Sequence, residues 1–238
     1  FGFLGTNVFQ IIFEFLQTPL LNLGDTLGAM VVAYIFLHLF WFFGVNGGSV
    51  VGAVFNPILQ TLSAGNIAGE HHIICQQFQD LFATFGGAGS TLSLVIAMLL
   101  FCKSKRITNL GKLSFVPGIF GINEPILFGA PIVLNPMFFI PFVICGGIIG
   151  SLGGWAMYLG IMKCSTFTPP YVGVFLEGFL TNMDPMSIVV NVVQLILSIL
   201  IWYPFVKSYE KTYGNKEEET NAISAEDAAI LDDLDLDF

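Results

Sequence analysis

The sequence predicts an all-α membrane protein built from transmembrane helices plus two re-entrant helical hairpins. Three observations carry that expectation. Of 238 residues, 55% are hydrophobic and 11% charged, against roughly 25% charged in an average soluble domain. So few charges cannot cover a water-soluble globule, which excludes an isolated soluble domain. The charges also leave long gaps, with no Asp, Glu, Lys or Arg between Asp25 and Glu70, Asp80 and Lys103, Glu124 and Lys163, or Asp184 and Lys207. A helical span needs about 20 apolar residues. Finally, 26 glycines and 11 prolines are many for a chain of plain spans, and point to broken helices.

The gaps place spanning helices near 25–44, 84–102, 137–160 and 185–206. Two leftover apolar stretches are too broken to span. Residues 45–62 contain Asn46, Gly47, Gly48 and the pair Asn56-Pro57; residues 113–136 contain Pro117, Pro125, Pro131 and Pro136. Proline removes a backbone donor and clashes with the preceding turn. Neither stretch is therefore expected to be one continuous helix, and both are read as re-entrant hairpins, tolerated at membrane depth only where protein or water satisfies the backbone. The cluster Lys103-Ser104-Lys105-Arg106, with Lys112, puts its loop in the cytoplasm by the positive-inside rule. Lys207 and Lys211 mark a second cytoplasmic end, so an even number of crossings lies between the two ends; 137–160 and 185–206 supply two, provided 113–136 does not cross.

The formal charge of −9 belongs mainly to residues 207–238, which carry −7 against −2 for residues 1–206. The near-neutral body offers no basic surface for nucleic acid. Residues 207–238 are expected to form an acidic cytoplasmic tail without regular structure, beginning after the interfacial Trp202-Tyr203 and a helix stop at Pro204. Cys75, Cys102, Cys145 and Cys164 fit no paired metal or redox spacing and read as packing residues. His71-His72 with Cys75 lacks a second ligand pair, so no metal is expected. His38 reads as a packed histidine, Glu177 and Asp184 as interfacial carboxylates, and the Gly86-Gly87-Ala88-Gly89-Ser90 run as close packing rather than a phosphate cradle. Residues 1–20 lack the basic start of a signal peptide, and the chain reads as part of a longer protein.

Two segments are candidates for chemistry. Glu124, in Gly121-Ile122-Asn123-Glu124-Pro125, is a carboxylate in a long apolar context. Charge at membrane depth is costly and is a functional hypothesis by default; the plainer reading is a carboxylate at a half-helix N-terminus. Asn123 beside it offers both a donor and an acceptor, which suits sugar hydroxyls. The second segment is Trp41-Phe42-Phe43-Gly44-Val45-Asn46-Gly47-Gly48-Ser49. Trp41 could pack on a sugar face, with Asn46 and Gly47 at a polar turn; the plainer reading is a helix ended by Gly44.

The string VPGIFGINEPILFGAPIVLNPMFFIPF (116–142) resembles the signature region of the membrane-embedded IIC component of the phosphoenolpyruvate-dependent sugar phosphotransferase system, in its lactose/cellobiose/diacetylchitobiose family. LFWFFGVNGGSVVGAVFNP (39–57), FATFGGAGSTLSLVIAMLLFCKSK (82–105) and IWYPFVKSYEK (201–211) support the likeness over about 1–211. The resemblance implies a multi-pass permease of the bacterial plasma membrane that moves a β-linked disaccharide inward on an elevator-like substrate domain. A phosphorylated IIB partner, charged by IIA upstream, then phosphorylates the sugar from a phosphocysteine. The permease takes part in that chemistry only with phospho-IIB, and no cofactor is implied. The family glutamate falls on Glu124 as general base, with Asn123, Asn46, Gly47 and Trp41 as sugar-binding positions. Many members carry histidine where this chain has Asn46, so any role needing an imidazole would be lost. Residues 1–206 would be the substrate-binding half of a longer homodimeric protein. A secondary sugar permease without phosphorylation, or a non-transporting remnant or sensor, remain as alternatives.

Overall fold

The computed structural model describes residues 26–170 and 172–233, and all regular structure among them is helical. The expectations that fall on residues 1–25, Tyr171 and 234–238 lie outside the described residues.

Helix α1 (Leu27–Phe42) begins where Thr26 Oγ1 accepts the Ala29 N–H at 3.2 Å. It ends in a turn with Gly44 at φ +80°, where Val45 N–H returns to Phe40 O at 2.9 Å. This pattern closes the last carbonyls of the helix. Asn46 then caps α2 (Gly47–Ile67) by accepting the Ser49 N–H at 2.9 Å. A Cβ on Gly47 would run into Leu37 O of α1, so only glycine allows so close a start.

Helix α2 corrects the expectation for 45–62. The chain passes through Asn56-Pro57 as one helix, not as a broken hairpin. Proline costs about 3 kcal/mol inside a helix, yet Pro57 and Ala53, whose carbonyl loses its partner, both lie on the exposed face. Val51, Phe55 and Leu59 bury the opposite face against Tyr34, Leu37 and Phe78. Burial of that stripe outweighs one missing bond.

A short helix α3 (Gln76–Phe78) runs into a π-helical turn, Gln79–Ala83, and then into a glycine turn over residues 86–90. Helices α4 (Thr91–Phe101) and α5 (Lys105–Ile119) follow and pack antiparallel, with Gly111 against Leu99 and Gly118 against Leu92. The expected 113–136 break is present. Helix α5 passes Pro117 but stops at Ile119, α6 (Glu124–Gly129) is only six residues, and Pro136 opens α7 (Pro136–Gly147) with Asn135 as cap. Helix α7 continues through a tight turn into α8 (Leu152–Tyr158).

Helix α9 (Val174–Asn182) precedes α10 (Met186–Asp233). The helix does not stop at Pro204 as the sequence reading has it. It runs on to Asp233, and the backbone of 207–233 is helical where no regular structure was expected. Pro204 is exposed, so its missing bond disturbs no packing. Among the described residues, two continuous stretches are long and apolar enough to cross a membrane, Pro136–Tyr158 and Met186–Gly214; the expected spans at 25–44 and 84–102 contain the shorter apolar helices Leu27–Phe42 and Ala88–Phe101.

Glycines let the helices touch. A Cβ on Gly146 of α7 would overlap the His38 ring of α1, one on Gly147 would press on Ile35, and one on Gly153 would press on Phe82. Small residues at helix contacts are how membrane helices gain packing without a hydrophobic drive between them. At the end carrying Lys103, Glu210 of α10 accepts the backbone N–H groups of Lys103 and Ser104, the latter at 3.0 Å. Its other oxygen takes the Lys207 ammonium at 2.8 Å, and Lys207 also donates to Phe101 O. One ion pair thereby holds the carbonyl end of α4 and the start of α5 together.

Two predictions follow from this packing. Gly146→Ala should lower the stability of the intact protein by about 1–3 kcal/mol through overpacking, whereas Gly28→Ala, whose nearest neighbour would be 4.0 Å away, should leave it unchanged or slightly raised; thermal unfolding in detergent reads both. Asp184 accepts the N–H groups of Met186 (3.0 Å) and Lys163 (3.1 Å), and these bonds, with the Lys163 charge, hold its carboxyl below the usual range. Its contribution is therefore present above about pH 4 and fades as the pH falls through the lowered value. Asp184→Asn should flatten that acid-side loss in a pH series of unfolding midpoints.

Candidate functional site

The site is built on the broken segment 120–135. After α5, Gly121 takes φ +74° and Ile122 N–H returns to Pro117 O at 3.0 Å. This turn delivers Asn123 and Glu124 to the start of α6. Pro125 sits in the first helical turn, where its missing N–H costs nothing.

Asn123 is 6% exposed and its Nδ2 donates to Ala88 O at 3.3 Å. That carbonyl belongs to the glycine turn. Gly86, Gly87, Gly89 and Ser90 all have positive φ, between 54° and 94°. A Cβ on Gly87 would come within 2.5 Å of Asn123 Cβ, and Cβ atoms on Gly86 and Gly89 would overlap Leu92 and Phe142. The run is close packing, as read from the sequence, and it is also the seat on which Asn123 rests. Trp202 of α10 secures it from the other side, with Nε1 donating to Gly89 O at 3.2 Å.

Glu124 differs from its neighbour. It is exposed, sits in the first turn of α6, and makes no hydrogen bond or ion pair with the described residues. Around it Phe120, Ile122 and Phe128 are also exposed. An unpaired carboxylate thus stands on an apolar surface, held by a backbone that Asn123 anchors. The helix-start position also fits the plainer reading of a carboxylate at a helix N-terminus, although six residues make a weak dipole.

The second candidate segment joins this one through the backbone. Leu134 N–H donates to Phe42 O at 3.0 Å, and Gly44 lies against Val133. Trp41 is half-buried and packs at the edge of both main clusters, which include Leu37 and Ile126. Asn46 is exposed, but its Oδ1 is committed to the cap of α2. The structure therefore groups Asn123 with the glycine turn and Glu124 beside it, while the other end of the segment meets Phe42 and Gly44, in the turn that lies between Trp41 and Asn46-Gly47. Among the described residues no group of three His, Cys, Asp or Glu could hold a metal. A cavity of about 370 Å³ lined by Thr26, Leu27, Ile73, Ile74, Trp155 and Tyr158 contains none of the candidate residues.

Sequence reasoning missed two features. Trp202 was read as an interfacial residue, yet it is fully buried under the glycine turn. Glu177, read as interfacial, is 7% exposed. The repeat of polar residues along α10 was the available signal for a polar interior there.

The family model described as phosphotransferase system, EIIC, matches residues 1–146. The chain is similar to the oligo-beta-mannoside-specific EIIC component of Bacillus subtilis (strain 168), with 34% identity over 226 residues that cover 91% of this chain and 51% of that one. It is also similar to the lactose-specific EIICB component of Streptococcus mutans serotype c (strain ATCC 700610 / UA159), with 34% identity covering 93% of this chain and 40% of that one. Among solved structures, the transporter ChbC, the IIC component from the N,N'-diacetylchitobiose-specific phosphotransferase system, superposes with a TM-score of 0.78 at 33% identity, covering 92% of this chain and 52% of that one. The chain thus spans about half the length of ChbC and of the Bacillus relative. With the match running over 146 of its 238 residues, the chain belongs to the phosphotransferase system EIIC family.

Proposed function

We propose that this chain is the substrate-binding half of a sugar permease that moves a β-linked disaccharide across the bacterial plasma membrane for phosphorylation by a IIB partner. The observation that carries the reading is Glu124: an unpaired carboxylate on an apolar surface, anchored through Asn123 to the glycine turn. The names of the relatives, which include oligo-beta-mannoside and lactose systems, support the substrate class, and the combined EIICB relative supports a IIB partner.

In this reading Glu124 accepts a hydrogen bond from the sugar hydroxyl that will be phosphorylated. The hydroxyl oxygen attacks phosphorus on a IIB phosphocysteine, the S–P bond breaks, the thiolate leaves, and the proton passes to the Glu124 carboxylate. Asn123 Oδ1 and the face of Trp41 bind the sugar, with Asn46 Nδ2 and the backbone at Gly47 completing the contacts. The segment 113–136 acts as a re-entrant hairpin that carries Asn123 and Glu124 to membrane depth, and the turn between α1 and α2 faces it. Residues 207–238 form the cytoplasmic end, a IIA protein recharges IIB, and the whole permease is a homodimer.

The deciding experiment uses the intact parent protein in cells with its phosphotransferase partners, fed labelled cellobiose, diacetylchitobiose and lactose. Phosphorylated sugar should accumulate with the unsubstituted protein and fall about 10²–10⁴-fold in Glu124→Gln, the range lost with a general base. Unmodified sugar inside the cell would mean transport without phosphoryl transfer, and no uptake of any sugar would sink the permease reading. A second variant separates structure from binding at Asn46. Asn46→Asp keeps the cap of α2, so stability should hold, while the loss of its NH₂ donor should weaken sugar binding by about tenfold, the equivalent of one hydrogen bond. Unchanged affinity in Asn46→Asp would leave Asn46 as a cap alone.

A further inference from the structure

The buried face of α10 is polar along its first turns. Ser187, Asn191, Gln194 and Ser198 are fully enclosed, and their spacing of four, three and four residues puts them on one stripe. The stripe runs about 16 Å at the helical rise of 1.5 Å per residue. It starts beside Asp184, which is partly exposed, and ends one turn before Trp202 under the glycine turn.

The amide nitrogens of this stripe are committed. Asn191 Nδ2 donates to Val174 O at 3.2 Å, and Gln194 Nε2 donates to Phe82 O at 2.7 Å. Phe82 lies in the π-helical turn, where the bond from Thr84 N–H to Gln79 O spans five residues. Such a turn leaves carbonyls without a helical partner, and Gln194 takes up one of them. These two bonds orient the amides, so that Asn191 Oδ1 and Gln194 Oε1 must point elsewhere. Neither oxygen has a hydrogen-bond partner among the described residues, nor does Ser198 Oγ. Gln79 Oε1 of the π-helical turn and Ser93 Oγ of α4, two elements in contact with α10, are in the same condition.

An enclosed polar group without a partner costs about 1–3 kcal/mol, and several of them share one seam here. The amide oxygens lack a hydrogen-bond donor, and the two hydroxyls lack a partner of either kind. The neutral amide and hydroxyl groups carry no charge that would favour a cation, whereas a water molecule brings two donors and takes part in 2–4 hydrogen bonds in such sites. We propose that the inner face of α10 is an internal water-binding site, a hydrated seam that leads from the α9–α10 turn toward the glycine turn on which Asn123 rests. This inference does not depend on the sugar or on the phosphoryl transfer.

The test uses the unsubstituted parent protein in lipid bilayers, with nitrogen-labelled side-chain amides, and follows magnetisation passed from water protons by solid-state NMR. The Asn191 and Gln194 amides should light up at mixing times where the methyls of Leu94 and Val95, enclosed in an apolar cluster, are still dark. Amide signals that arise no earlier than those methyls would overturn the proposal, as would magnetisation reaching them from lipid chains instead. No variant is needed, so a failure to fold cannot imitate either outcome.

Discussion

The arrangement depends on the turn over residues 86–90. Four of its five residues adopt left-handed backbone, which an L side chain resists by roughly 1–2 kcal/mol. In an apolar surrounding its carbonyls also need partners from the protein itself. Two come from distant parts of the chain: Asn123 holds Ala88 O and Trp202 holds Gly89 O. The turn is therefore where the start of α4, the broken segment and the last helix are fastened to one another. Any side chain beyond glycine at positions 86, 87 or 89 would push Leu92, Asn123 or Phe142 out of place.

That fastening explains why Asn123 and Glu124 have opposite environments although they are neighbours. Asn123 has its amide used inward and is almost fully enclosed. Glu124, one residue on, begins α6 exposed and with no partner among the described residues. A rigid neighbour fixes where the carboxylate stands, and its own lack of partners leaves it open to a ligand, which is the combination a binding or proton-accepting group needs. The Leu134–Phe42 backbone bond ties the far end of the same segment to the α1–α2 turn, so both candidate segments belong to one packed unit.

Much of the candidate site was legible because its signals are local. Glu124 stood out as a carboxylate among apolar residues, the prolines of 113–136 marked a broken backbone, and Gly44 marked the end of α1. The turn of 86–90 was read as close packing from its glycines alone. The role of Asn46 was less legible. Its residue type allows both a sugar contact and a helix cap, and the fold commits its oxygen to the cap.

Hydropathy, proline and charge act over a few residues, and for that reason the helical membrane class, the family resemblance and the position of the Asn123-Glu124 pair were legible in the residues alone. That Pro57 and Pro204 do not interrupt their helices came from packing instead. The local penalty of a proline is a few kcal/mol, and it depends on whether the face that loses its bond is packed or exposed, which no local pattern records. The tertiary structure also decided that Trp202 lies under Gly89 and that the polar stripe of α10 faces inward. Those pairings join residues about a hundred positions apart, and a donor's partner at that distance is set by how the helices pack, not by the residues beside it.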